Sequence, residues 1–311
     1  MIIQTGQRTD IPAFYSEWLV NRLREGFVMV RNPFEPRNVT RYVLDPSVVD
    51  VMGFCTKDPS PMLPKMDALR DYRTYWHVTI TPYGRDVEPN VPGKDEVIRS
   101  FRTLSDMVGP ERMAWRYDPI LLNDTYDMSA HIREFTRMAG ELEGYTKVCI
   151  ISFLDLYDKV RENFPEARAV PKEARLELGK AMIEIAGERG MTLRPCAEGN
   201  ELAAYGADCR GCMTQEIWQE AAGIRLRFPS RKNMRKDCQC FLSGDIGQYD
   251  TCGHMCRYCY ANTSRERVLR NMRDHDPKSP LLVGHLMPED TVHEAQASSW
   301  AVRQMDMFAD I

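Results

Sequence analysis

Short apolar runs alternate with amphipathic stretches along most of this chain. Val48 to Phe54, Tyr75 to Thr81, Met113 to Ile120, Val148 to Leu154 and Met191 to Pro195 are rich in β-branched, aromatic and long apolar residues and bounded by turn formers, which predicts five strands. Between them, Lys94 to Val108, Ser129 to Leu142 and Lys172 to Arg189 have helical apolar spacing, with Gly109, Gly144 and Gly190 as stops. Strand and helix in alternation predict an α/β fold with a parallel sheet. A weaker sixth strand spans Phe241 to Tyr249, where Ser243, Gly244 and Gly247 reduce strand propensity, and Ser264 to Asp274 is the helix after it.

Alternation within the strands sorts side chains by face. In the second, Trp76, Val78 and Ile80 suit packing under helices, whereas His77, Thr79 and Thr81 share the other side. The same parity sets Met113, Trp115 and Tyr117 against Arg116 and Asp118, and Leu193 and Pro195 against Arg194 and Cys196. A surface made of His77, Thr79, Arg116, Asp118 and Arg194 is polar, which suits a ligand cavity better than a filled core.

The composition, 43% hydrophobic and 28% charged with no apolar run long enough to cross a bilayer, predicts a globular cytoplasmic protein without a membrane partner. Formal net charge is −4, yet Arg225 to Arg273 holds eleven Arg or Lys against four Asp or Glu. That basic stretch serves either to neutralise a local anion or to meet phosphates. No sequence repeat is evident, and the pattern divides into residues 1–224 with five βα units, 225–285 completing the same fold, and a tail over 286–311.

Cysteine placement changes the picture most. Cys252, Cys256 and Cys259 are spaced C-x3-C-x2-C, with Tyr258 just before the last. Three thiolates hold three irons of a [4Fe-4S] cube and leave the fourth open to a small molecule. A zinc site prefers paired C-x2-C or C-x2-H ligands, and His254 lies inside the first gap. A disulfide framework is disfavoured by the length of the chain and by the lack of an apolar signal segment over Met1 to Asp10. A second group comprises Cys196, Cys209 and Cys212, and Cys238 and Cys240; of these Cys196, Cys212, Cys238 and Cys240 are chosen as ligands of a second iron-sulfur cluster or a structural zinc, with Cys209 spare. Cys55 and Cys149 read as packing residues.

The C-x3-C-x2-C spacing resembles the signature of radical S-adenosylmethionine enzymes. The resemblance implies an open iron that chelates S-adenosylmethionine, an aromatic side chain, here Tyr258, near its adenine, and a 5′-deoxyadenosyl radical that abstracts a hydrogen atom. Gln7 to Pro12, Arg31-Asn32-Pro33, Thr56 to Pro59, Arg116 to Pro119, Cys196-Ala197-Glu198 and Asp245 to Gly247 together resemble an uncharacterised bacterial and archaeal family with such a cluster near the C-terminus, distantly similar to spore photoproduct lyase. The fold implied is a six-stranded partial (β/α) barrel of the radical S-adenosylmethionine type. That fold places the cluster loop after its first strand, whereas five strands precede it here, so the sequence implies a circular permutation.

Active sites of such barrels open at the C-terminal strand ends. Lys57, Asp118 and Tyr157 are the expected catalytic side chains, with Lys57 on the loop after the first strand and Tyr157 just past the fourth as a hydrogen donor. His77, Arg116, Arg194 and Tyr258 are the expected cofactor contacts. A radical enzyme needs an electron donor such as a flavodoxin or ferredoxin. Gln304 to Phe308 resembles the peptide by which bacterial repair proteins dock on the sliding clamp, although Trp300, Val302, Met305 and Phe308 also suit a terminal helix. DNA or a nucleotide is the expected substrate class; a non-catalytic iron-sulfur or zinc nucleic-acid-binding protein, and a radical enzyme for a peptide or metabolite, are the alternatives.

Overall fold

The computed structural model describes residues 1–230, 238, 240–241 and 243–302. In chain order its elements are β1 (Ile2–Gln4), α1 (Ile11–Phe14), α2 (Ser16–Glu25), β2 (Phe27–Arg31), β3 (Asn38–Val43), β4 (Val51–Thr56), β5 (Thr74–Thr79), α3 (Lys94–Val108), β6 (Met113–Ile120), α4 (Met128–Leu142), β7 (Val148–Phe153), α5 (Asp158–Asn163), α6 (Lys172–Glu188), β8 (Thr192–Pro195), α7 (Gln215–Ala222), β9 (Gly244–Asp245), α8 (Arg265–Arg273) and β10 (Thr291–Glu294).

Seven strands make one sheet in the order β8-β7-β6-β5-β4-β1-β9, with every pairing parallel. The five strong sequence expectations each fall on an observed strand. The count of six is corrected to seven, because Ile2–Gln4 inserts between β4 and β9. Three residues are too few to show a period. The expected strand from Phe241 to Tyr249 contracts to Gly244–Asp245, in keeping with its glycines. A second sheet, β10-β3-β2, was not anticipated, and β10 draws residues expected in a tail onto the body of the protein.

Strand parity holds. Ile3, Met52, Trp76, Val78, Trp115, Tyr117, Ile151 and Leu193 share one continuous core with the apolar faces of α2, α3, α4 and α6. On the other face, Ile2, Val51, Tyr75, Ala114 and Ile150 pack with Trp218 and Ile217 of α7 and with the thiols of Cys196, Cys212, Cys238 and Cys240. Gly53 lets α7 approach, since a Cβ there would stand 2.6 Å from the Trp218 ring. The C-terminal strand ends on this face are left for a cavity.

A buried polar relay fixes α4 on the sheet. The His131 Nε2 lies 2.7 Å from the Leu121 carbonyl, which can only accept, so Nε2 carries the proton and Nδ1 accepts from the Tyr117 hydroxyl at 2.8 Å. Both residues are fully buried.

Two outcomes follow. Gly53→Ala should cost about 1–3 kcal/mol by overpacking against Trp218, read from urea midpoints; an unchanged midpoint would mean that α7 does not sit on β4. Burial pushes the His131 pKa down, so the unfolded chain takes the proton first and stability is lost as pH falls below about 6.5. Relative to His131→Gln, which can keep both hydrogen bonds, the native protein should lose up to about 1.4 kcal/mol per pH unit in that range. Parallel stability curves for the two proteins would refute the neutral buried state.

Candidate functional site

Loops at the C-terminal ends of the sheet enclose a cavity of about 420 Å³. Its wall includes Cys252, Cys256 and Cys259 of the loop after β9, and also Cys196, Cys212, Cys238 and Cys240. Lys57, Asp118, Tyr157, Tyr258, Thr79 and Arg116 line the same space, so the structure gathers most of the sequence-derived site. His77 and Arg194 are not part of the wall. His77 is buried within β5, with Nδ1 3.7 Å from the Cys55 thiol and its ring against Tyr75, and desolvation holds its pKa well below the usual histidine range. Arg194 pairs with Asp208 at 3.1 Å, which occupies the guanidinium. Cys209 lines a separate open depression with Asp208 and Arg210.

Glu88 is the electrostatic centre. Its side chain has no exposure, and it accepts hydrogen bonds from Lys57 Nζ at 2.8 Å, Thr81 Oγ1 at 2.7 Å, Lys94 Nζ and the Tyr258 hydroxyl. Burial alone would raise its pKa, but the two ammonium groups overcome that penalty and hold it at about 2. Lys57 lies 5.5 Å from the centre of the Tyr258 ring. The ring also packs edge-on against Tyr83, so the aromatic wall of the site is fixed from two sides.

The cysteine loop is held by its backbone. Asn90 N donates to the His254 carbonyl at 3.2 Å, Arg257 N to Val87 O at 3.0 Å, and Asn90 Nδ2 to Gly253 O at 2.8 Å. Asp10 joins three segments: it caps α1 through Ala13 N and accepts from Lys57 N at 2.7 Å and His254 Nε2 at 2.9 Å. His254 is therefore occupied as a structural link. Gly253 leaves no room for a side chain, because a Cβ would meet the Phe14 ring at 2.7 Å.

The residues fit an iron-sulfur group that needs three thiolates. Cys252, Cys256 and Cys259 are free thiols that influence one another by charge, and burial pushes the Cys256 thiol up to about 12 despite the nearby Lys57. Among the described residues, His254 Nδ1 and Asn262 Oδ1 are buried beside this loop without a partner. No three His, Cys, Asp or Glu side chains among the described residues stand at the spacing of ligands to a single ion. A cube differs in that each thiolate binds a different iron.

On the sheet floor, Arg116 Nε donates to Asp118 Oδ2 at 3.0 Å, and the Ser152 hydroxyl donates to the other carboxylate oxygen. At the rim, the half-exposed rings of Tyr157 and Tyr260 lie 6.1 Å apart. Tyr249 stands under the cations of Lys159 and Arg8 at 5.3 and 5.9 Å. Sequence reasoning missed Glu88, Asp10 and Tyr260. Asp10 before Ile11-Pro12 was available as a helix cap, whereas Glu88 has no local signal that separates it from a surface acid.

Glu88→Gln strips the neutralising charge from Lys57 and Lys94, and the protein should lose about 3 kcal/mol in urea unfolding. A loss below about 1 kcal/mol would show that water already screens the three charges.

No curated protein matches the sequence. Among the described residues, no helix is long and apolar enough to cross a membrane. Residues 2–261 match a family model described as a domain of unknown function, DUF1848, and the match contains all eight cysteines of the cavity wall, Cys55 among them. A match over most of the length, spanning both the sheet and the cysteine loop, makes the chain a member of the DUF1848 family.

Proposed function

We propose that this chain is a radical S-adenosylmethionine enzyme in which Cys252, Cys256 and Cys259 hold a [4Fe-4S] cluster with one iron open. The reading rests on one observation: a C-x3-C-x2-C loop follows a strand of a parallel sheet and delivers its three thiols to a cavity at the C-terminal strand ends. When bound, the cluster and S-adenosylmethionine supply a 5′-deoxyadenosyl radical for hydrogen abstraction. On the same reading, the spatial order that begins β9-β1-β4 is the strand order of such a fold with its first strand moved to the C-terminal part of the chain.

This chain's residues then have definite tasks. Tyr258, locked by Glu88 and Tyr83, offers a flat wall for an adenine. Lys57 sets a cation beside Cys256 and offsets the negative charge that three thiolates bring. Arg116 and Ser152 fix the Asp118 carboxylate, which is thereby oriented toward a polar group of the substrate. Phe153 and Leu154 exclude water from part of the wall. Tyr157 is placed at the mouth as a hydrogen donor, with its hydroxyl 3.2 Å from Asp155.

The rim favours a planar anionic substrate, hence a nucleotide or an exposed base of DNA. Tyr157, Tyr249 and Tyr260 supply rings and Arg8 and Lys159 supply charge. An electron donor such as a flavodoxin or ferredoxin is required. The clamp-like segment Gln304 to Phe308, and Arg231, Lys232, Arg235 and Lys236 of the basic stretch, lie outside the described residues.

Oxygen-free protein, reconstituted with iron and sulfide, should bind about four irons at this loop and, with reductant, convert S-adenosylmethionine to 5′-deoxyadenosine. Cys256→Ala should abolish the product while keeping the native circular dichroism spectrum. Iron-loaded protein that never cleaves S-adenosylmethionine would remove the catalytic reading and leave a metal-stabilised binding protein. Steep weakening of single-stranded DNA binding with salt would support the nucleotide substrate; salt-independent or absent binding would favour a metabolite or peptide.

A further inference from the structure

The second group of thiols differs in geometry from the first. Cys196 directly follows β8, Cys212 precedes the cap of α7, and Cys238 and Cys240 lie before β9, so three distant stretches supply four sulfurs. The Cys212 sulfur lies 3.3 Å from that of Cys196 and 3.2 Å from that of Cys240, and Cys240 also contacts Cys238. All four residues are at most 9% exposed. Cys252, Cys256 and Cys259, in contrast, interact through charge without such sulfur contacts.

The backbone presets this arrangement. Phe241 N donates to Met213 O at 2.7 Å, which puts Cys240 beside Cys212, and the Trp218 indole donates to Phe241 O at 3.0 Å. Cys196 N is fixed on Ile151 O at 2.8 Å. Thiol to thiol hydrogen bonds are weak, and they give little reason to converge four sulfurs in a buried position.

Spacing discriminates among the uses of four thiols. A disulfide needs sulfurs at about 2.05 Å. A tetrahedral zinc with bonds of about 2.3 Å sets its sulfurs about 3.8 Å apart. A cube spreads its ligands farther, one to each iron. As they stand, these sulfurs are too close together to be ligands of one ion, but they fall only about half an ångström short of the zinc spacing, so a small outward movement of the side chains admits one ion, whereas a cube would have to force the set apart. Of the two groups that the cysteine spacing leaves open, a second iron-sulfur cluster or a structural zinc, we infer that Cys196, Cys212, Cys238 and Cys240 bind a single zinc ion. The ion ties the end of β8, the start of α7 and the segment entering β9 into one unit on the wall of the cavity. This assignment does not depend on the radical reading of that loop.

The test is the metal content of a Cys252→Ala, Cys256→Ala, Cys259→Ala triple variant, purified without oxygen and without added metal. Expected are about one zinc per chain with no acid-labile sulfide, and zinc-edge absorption giving four sulfurs at about 2.3 Å. Adding Cys212→Ser should abolish the zinc and lower Tm by several degrees. About four irons with sulfide in the triple variant would overturn the inference in favour of a second cluster. Four thiols that titrate freely without metal, or a Cys196 to Cys212 disulfide, would overturn it outright. Should the triple variant fail to fold, zinc-edge absorption on the unaltered chain reads the same ligand shell. Iron binding at the first three thiols has no part in these outcomes, so either assignment can fail alone.

Discussion

A carboxylate shut away from solvent holds the loops of this site in place. Placing Glu88 in the interior costs several kcal/mol, and the penalty is offset because Lys57, Lys94, Thr81 and Tyr258 converge on it. These partners come from the loop after β4, the first position of α3, the segment after β5 and the cysteine loop. Lys94 sits at a helix N-terminus, where the dipole disfavours a cation; Glu88 supplies the compensation. Charge balance thus becomes a positional constraint, since each loop must present its donor for the others to be tolerated.

The two faces of the sheet differ in what covers them. One is sealed by four helices over a continuous apolar core. The other is covered by α7 beside its thiols and opens at the strand ends, where a polar floor replaces aliphatic packing. Seven of the eight thiols at that opening, all but Cys55, fall into two sets with different spacing. One is dispersed along a single loop and the other is compressed from three segments, so a shared residue type serves two distinct arrangements.

The strong strands and helices were legible because their periods are long enough to register, and parity alone placed Thr79, Arg116 and Asp118 on the cavity side of the sheet. The C-x3-C-x2-C loop was legible because its three cysteines are local. Ile2–Gln4 was not, being a strand only by virtue of β4 and β9 on either side. His77 and Arg194 have the right parity but stay out of the wall: His77 is buried against Tyr75 and Cys55, and Arg194 pairs with Asp208. Glu88 joins nearby Thr81 and Lys94 to distant Lys57 and Tyr258, and Asp10 joins its own helix to Lys57 and His254, and no short window of sequence contains the distant pairs. Cys196, Cys212, Cys238 and Cys240 converge, whereas Cys209 lines a separate depression. How closely the sulfurs approach is set by backbone contacts that spacing cannot encode.

The pairing of β1 with β9 also constrains how the molecule assembles. Ile3 and Gln4 lie beside Gly244 and Asp245, partners about 240 residues apart in the chain. The neighbouring pairs from β4 to β8 close much shorter loops, and loop closure that brings little local gain is slow to nucleate. The central sheet can therefore form while one side of β1 is still unpaired. The cysteine loop reaches its position only when β9 adds to that edge, so the site is the late product of folding, built on a frame already standing.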